Sequence, residues 1–291
     1  MKSMPIPLVA FLLLLAAPGL ARTIPVGAGG EASSLALENA IVEASSGDTI
    51  LVHPGVYENA LIYVAGKGLV IRSVAGPEKT VLDGGKARLV VWLLRTDAAT
   101  VIEGFTIRNG FDAQHGGGIR IGGMGHHTVR NNIIEGCQAP FGGGIYLAPR
   151  SMAVIEGNLF KGNIATHTGG GLYTQHAQPT IRNNTFVGNN AEKPGSAIGL
   201  FAASPTIENN LFVENRGEAA VYLMNAKCAP VLGCNGYFMN KGTDVGGGEG
   251  AVVPEEPERR SADPLFADSN TYRLSSGSPY AAAGSCGKIG W

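Results

Sequence analysis

The chain is expected to fold as an all-β solenoid, a parallel β-helix of about eight coils with a short N-terminal capping helix. Three observations predict this: an internal repeat of 25–28 residues, two columns of asparagine that recur with it, and apolar stretches too short for helices. Repetition at such a period identifies one supersecondary unit that buries its apolar face only against the next copy.

Met1–Ala21 is expected to be a signal peptide and is set aside. Lys2 supplies a positive start, Leu8–Ala17 is unbroken and apolar, and Gly19-Leu20-Ala21 places small residues at the cleavage positions. The apolar run is half the roughly 20 residues that a membrane span requires, and no other segment comes closer. The protein is therefore expected to be secreted, to the periplasm or the medium, with no membrane span in the mature chain.

Residues 22–291 are taken as one domain. Within 22–48, Ser33 or Ser34 caps a helix running to about Ala44, with Leu35, Leu37, Ala40, Ile41 and Ala44 on its apolar side. A solenoid must cover its ends, and this helix suits the first one. Ser46-Gly47-Asp48 turns the chain into Thr49–Val52, the first expected strand, which opens coils running over 49–245. Less regular coils at Leu69–Val74 and Val90–Leu94 precede repeats that line up from Thr100, Thr128, Ala153, Thr180, Thr206 and, more loosely, Val231.

Each repeat holds three short apolar stretches, of the types Ile145-Tyr146-Leu147, Ala153-Val154-Ile155 and Leu159-Phe160, which is strand behaviour. Stacked in register, Ile119, Ile145, Leu172, Ile198 and Val221 would form one inward column. Ile121, Leu147, Thr174, Leu200 and Leu223 would form its neighbour. The first asparagine column is Asn132, Asn158, Asn184, Asn210 and Asn235; the second is Asn163, Asn189, Asn215 and Asn240, with Cys137 in the preceding place. A bend between strands strands backbone groups, and a buried unpaired group costs about 1–3 kcal/mol. Asparagine carries a donor and an acceptor and tolerates the left-handed conformation. Copies ~4.8 Å apart can also bond to one another as a ladder. The Gly-, Pro- and Glu-rich 246–260 reads as an exposed loop, and 261–291 as a cap on the last coil.

Composition narrows the function. A net charge of −1 leaves no Lys/Arg surplus for phosphate, which excludes a nucleic-acid partner. Cys137, Cys228, Cys234 and Cys286 allow zero, one or two disulfides in an exported protein, and their spacing fits no zinc pattern.

Thr49-Ile-Leu-Val-His-Pro-Gly-Val-Tyr57, the Asn-Asn-x-Phe repeats and the ending Asp263-Pro-Leu-Phe266, Tyr272-Arg-Leu274 and Gly277-Ser-Pro279 resemble bacterial right-handed β-helix repeat proteins of the pectate-lyase-like superfamily. The resemblance spans nearly the whole mature chain and implies right-handed coiling. It also implies a polysaccharide or cell-surface glycan as partner, although many members have no known activity and fold does not license a reaction. Relatives often carry Cys after Ser-Pro. Here Tyr280 stands there, which puts one family disulfide in doubt.

In enzymes of that superfamily the substrate lies along the outer face of the first sheet. The side chains expected outward there are Arg120, Tyr146, Tyr173, Gly199 and Tyr222, with Gln175, Phe201 and Met224 beside them. The flanking loops carry Asp112, His115, Phe141, His167, Glu192 and Lys193. The tyrosine column is consistent with sugar stacking and equally with rings that brace neighbouring coils. Arg120, Tyr146, Tyr173, Gln175 and Tyr222 are the candidate substrate-binding residues.

No catalytic set is identified. Calcium wants six to eight oxygens and this face offers only Asp112 and Glu192, so no cofactor is expected. Glycosidases need two carboxylates roughly 5–9.5 Å apart, which no coil supplies. A metal-free lyase would place Arg120 on a uronate carboxylate, with His167 or Tyr146 as base or acid. His126-His127 is a bare hint of a metal site. Three readings follow: a binding protein with a Tyr-lined face, a polysaccharide lyase, and a structural or adhesin-like solenoid.

Overall fold

The computed structural model describes residues 20–94, 99–282 and 286–291. The signal-peptide expectation therefore falls almost wholly outside the described residues. Three parallel sheets run the length of the coil. The first has eight strands from Ile62–Ala65 to Thr243–Gly247, the second nine from Thr23–Val26 to Val231–Gly233, and the third eight from Gly55–Glu58 to Gly236–Phe238. The opening strand Thr23–Val26 pairs in register with Thr49–Val52 and was not expected. The coils stack with Val101, Thr128, Val154, Thr180, Thr206 and Val231 in one row, which moves two repeat starts by one residue, from Thr100 and Ala153.

Inward columns fall where the periodicity puts them. Ile119, Ile145, Leu172, Ile198 and Val221 are paired in succession and fully buried, and so are their neighbours two residues on. Phe160, Phe186, Phe212 and Tyr237 stack through the same core, with centroids 4.4, 5.1 and 5.0 Å apart. An inward Leu172→Ala change would cost about 2–5 kcal/mol through lost burial and the cavity left behind.

Both asparagine ladders form. Asn184 Oδ1 accepts from the Asn158 backbone N–H at 2.9 Å and from Asn158 Nδ2 at 3.0 Å. Asn184 Nδ2 in turn donates to Ile155 O and Asn210 Oδ1. In Asn131-Asn132, Asn183-Asn184 and Asn209-Asn210 the first residue is left-handed and the second builds the ladder. Cys137 keeps its place in the second ladder. Its N–H donates to Asn163 Oδ1, while its sulfur accepts from the Gly110 N–H and donates to Glu135 O.

At the N-terminal end, Ser34–Glu43 is helical, Ser33 caps it, and Leu37, Ala40 and Ile41 are buried. Leu35, expected on that side, is 67% exposed, because it faces away from the strands the helix covers.

At the other end, the segment 246–260 is largely exposed, as expected of a loop, and it also covers the last coil. Glu256 Oε1 accepts from the Asn235 N–H and Nδ2 and so ends the first ladder as a further asparagine would. Arg260 bridges to Gly236, and Ala251 packs against the core. Residues 261–291, read as the cap, instead run back along the outside of the third sheet. Gly290 N–H donates to Asn209 O, Trp291 N–H to Thr185 Oγ1, and Arg273 pairs with Glu78. There Tyr280, Cys286 and Ile289 join Leu159, Val187, Leu211 and Val213 in a second core. The reason is the apolar outer face of that sheet, which water would otherwise meet. A Cys234–Cys286 disulfide fixes the strap, and Cys137 and Cys228 are buried free thiols.

Candidate functional site

The segments entering the first sheet pair with one another into a fourth sheet, Gln138–Phe141, Ile164–Thr168 and Asn190–Ala191. The first two enter through the glycine runs Gly142–Gly144 and Gly169–Gly171, and the third through Gly195-Ser196-Ala197. Gly142 has φ +66°, and an added Cβ would come within 2.2 Å of Ile145 O, so no other residue fits there. This fourth sheet forms a wall along one edge of the outer face.

On that face the register gives one continuous column: Tyr63, Trp92, Arg120, Tyr146, Tyr173, Gly199, Tyr222 and Gly246. The expected members are aligned as the repeat implied, and Gln175 stands beside Phe201 in the next column. Tyr63 and Trp92 extend the column and were missed, because the coils over 62–94 carry insertions that hide the period. The pattern Ile62-Tyr63-Val64 and Val91-Trp92-Leu93, one aromatic between two inward aliphatics, matches Ile145-Tyr146-Leu147 and would have found them.

Exposure divides this column. Tyr146 and Tyr173 are each only 4% exposed, which corrects the expectation of an open tyrosine stripe. Their rings stack at 5.9 Å, the His115 ring lies 4.4 Å from Tyr146, and the Phe141 ring lies 5.0 Å from Tyr173. Aromatic rings from the wall thus cover aromatic rings on the sheet, and mutual burial is favourable for both. Gln175 Nε2 donates to Tyr146 Oη at 2.7 Å. Burial raises the hydroxyl pKa of both tyrosines, partly opposed at Tyr146 by Arg120, so both stay protonated at neutral pH.

Trp92, Arg120, Gln175 and Tyr222 remain half-buried, and Tyr63 is 43% exposed. The Arg120 guanidinium lies 5.4 Å over the Trp92 ring, and Tyr63 meets that ring edge-on at 5.2 Å. Arg120 has no carboxylate partner among the described residues. Beside it, burial lowers the His115 pKa, Arg120 lowers it further and Asp112 partly opposes, so the imidazole is neutral near pH 7. Asp112 Oδ1 is occupied by the Gln114 and His115 N–H groups, both at 2.7 Å.

His167, named with Arg120 in the lyase scheme, packs at a tilt against Phe141, with ring centroids 4.9 Å apart. It belongs to the coil of Tyr173, two coils or roughly 10 Å beyond Arg120; His115 is the imidazole nearer the cation. Asp112 and Glu192 stand three coils apart, roughly 14 Å. Among the described residues the one grouping of three His, Cys, Asp or Glu donors is Cys234, Glu258 and Cys286, two of which form the disulfide.

The chain folds as a right-handed parallel β-helix, and residues 91–235 match the family model described as a right-handed beta helix region. Among solved structures it is similar to a PL6 family polysaccharide lyase from Pseudopedobacter saltans, at 18% identity and a TM-score of 0.51. That match covers 75% of this chain and 53% of the lyase, so the chain spans about half the lyase's length. Weaker similarities are an alginate lyase from a Paenibacillus species (14% identity, TM-score 0.29, covering 83% of this chain and 98% of that one) and a pectin methylesterase from Aspergillus niger (15%, 0.34, 90% and 92%). No curated protein matches in sequence. Among the described residues no helix is long and apolar enough to cross a membrane.

Proposed function

We propose that this protein is secreted and binds an acidic polysaccharide along the outer face of its first sheet, at the end formed by Tyr63, Trp92 and Arg120. The observation that carries the reading is the Arg120 guanidinium, without a carboxylate partner among the described residues, lying over the Trp92 ring. A half-buried cation without a carboxylate partner favours an incoming anion. The neighbouring rings offer apolar faces to the C–H side of a sugar. Tyr146 and Tyr173 brace this platform from the next two coils, while Tyr222 offers a further ring beyond Gly199, where Thr168 fills the space expected to be a gap. The Cys234–Cys286 disulfide supports an oxidising compartment and hence export.

The lyase reading is favoured by one observation, the neutral His115 imidazole beside Arg120. Abstraction of a proton next to a carboxylate needs such a base and such a cation.

The test is binding of polygalacturonate, alginate and a neutral glucan to the full chain, with products followed by the ultraviolet absorbance of unsaturated uronides. The acidic polymers should bind, more weakly as salt rises, and Arg120→Ala or Trp92→Ala should abolish most of that affinity. Equal binding of the neutral glucan, or full affinity in Arg120→Ala, would sink the proposal. Unsaturated products lost in His115→Gln would establish the lyase.

A further inference from the structure

The His126-His127 pair is split by the fold. His127 is fully buried, its Nδ1 accepts from the Thr100 N–H at 3.3 Å, and burial lowers its pKa to about 4. His126 is exposed, at the turn that leads from the first sheet to the second. That turn repeats in three coils. Gly125 bridges to Ser151, the Met152 N–H donates to Gly125 O, and the Gln178 N–H donates to Ser151 O. Stacking therefore produces two outward rows: Met124, Arg150 and His176 on one side, and His126, Met152 and Gln178 on the other. Ser151 and Ala177 between them are buried. The rows wall a surface hollow of about 500 Å³.

The side chains around this hollow have an unusual character. Methionine normally fills cores, yet among the described residues none of the four methionines is in the core clusters. Met124 and Met152 are 60% and 47% exposed. Met124 and His126 are two residues apart, at most about 7 Å along the chain, and Met152 stacks one coil from His126, ~4.8 Å away. Thioether side chains with three rotatable bonds close gaps of that size.

We infer that this hollow binds a soft monovalent metal ion, Cu(I) or its analogue Ag(I), through the sulfurs of Met124 and Met152 and the imidazole of His126, with His176 within reach at the far end. Thioether and imidazole donors select soft ions. The lining has no carboxylate to serve a hard cation such as calcium. Arg150, in the same lining, repels a divalent ion twice as strongly as a monovalent one. The site is separate from the Arg120 face and stands whether or not a polysaccharide binds there.

The experiment is an anaerobic titration of the full chain with Cu(I) in competition with a chromophoric Cu(I) chelator. Methionine methyl resonances are followed in parallel on addition of Ag(I). The expected result is one equivalent captured, with only the Met124 and Met152 methyl signals shifted. Met124→Leu with Met152→Leu should lose that equivalent. Cys137→Ser with Cys228→Ser should keep it. No capture by the wild type, capture that survives the double leucine variant, or methyl shifts elsewhere would each overturn the inference. The methyl signals decide in the wild type, so the conclusion does not depend on how the variants fold.

Discussion

At the scale of single residues, adjacent asparagines carry different loads. Asn184 is fully buried, and its removal strands the Asn158 N–H and the Ile155 carbonyl. Asn183 sits on the left-handed bend, with one exposed bond to Lys288 O. Two buried orphans cost roughly 1–3 kcal/mol each. Asn184→Ala should therefore lower unfolding free energy by about 2–6 kcal/mol, against about 1 kcal/mol or less for Asn183→Ala, as read by chemical denaturation. A small, equal effect of the two would mean the ladder is not a source of stability. Cys137 shows how the ladder tolerates a substitute, since a thiol also accepts and donates. Burial pushes its pKa up to about 12, and Cys228 is likewise buried. Neither thiol should react with a thiol reagent at pH 8 until denaturant is added, when two should appear.

At the scale of elements, the end of the coil depends on Glu256. Its carboxylate accepts from Asn235 and from the Tyr237 hydroxyl, and burial raises its pKa above the ordinary 4.5, opposed by those bonds and by Arg259. Between the ordinary value and the raised one the folded chain holds more protons than the unfolded chain. Stability from this group therefore falls as pH rises through that window. Glu256→Gln keeps an acceptor for Asn235 and should flatten that part of the pH–stability curve. Glu256→Ala should cost about 1–3 kcal/mol at every pH by orphaning the Asn235 N–H. An unchanged pH profile in Glu256→Gln would remove Glu256 from the account. The repeat unit itself was legible in the sequence. The cap was not, because a Gly-, Pro- and Glu-rich stretch has no period and its role depends on what it lies against.

At the scale of the whole molecule, the C-terminal strap joins coils that the repeat leaves independent. Cys234 and Cys286 close a loop over 52 positions, and a cross-link of that span stabilises by about 2–4 kcal/mol. Cys286→Ser should lower stability by that amount and expose the strap to limited proteolysis, while the coils keep their far-ultraviolet circular dichroism. Loss of the β signal together with the strap would show that the second core is needed for the coils to form at all. The outer face of the first sheet is likewise a property of the assembled coil. Tyr63, Trp92 and Arg120 come from three coils and face one ligand-sized stretch only after stacking.

The amino-acid sequence by itself determined the coil, its inward columns, the ladders and the alignment of Arg120, Tyr146, Tyr173 and Tyr222. Each follows from local alternation repeated at a fixed period, and burial makes a slip of register costly. Tertiary structure alone decided that wall aromatics bury two of those tyrosines, that residues 261–291 strap the third sheet while 246–260 covers the last coil, and that Met124, His126 and Met152 line one hollow. These outcomes depend on how unlike, non-repeating segments pack across coils, and no period encodes such contacts.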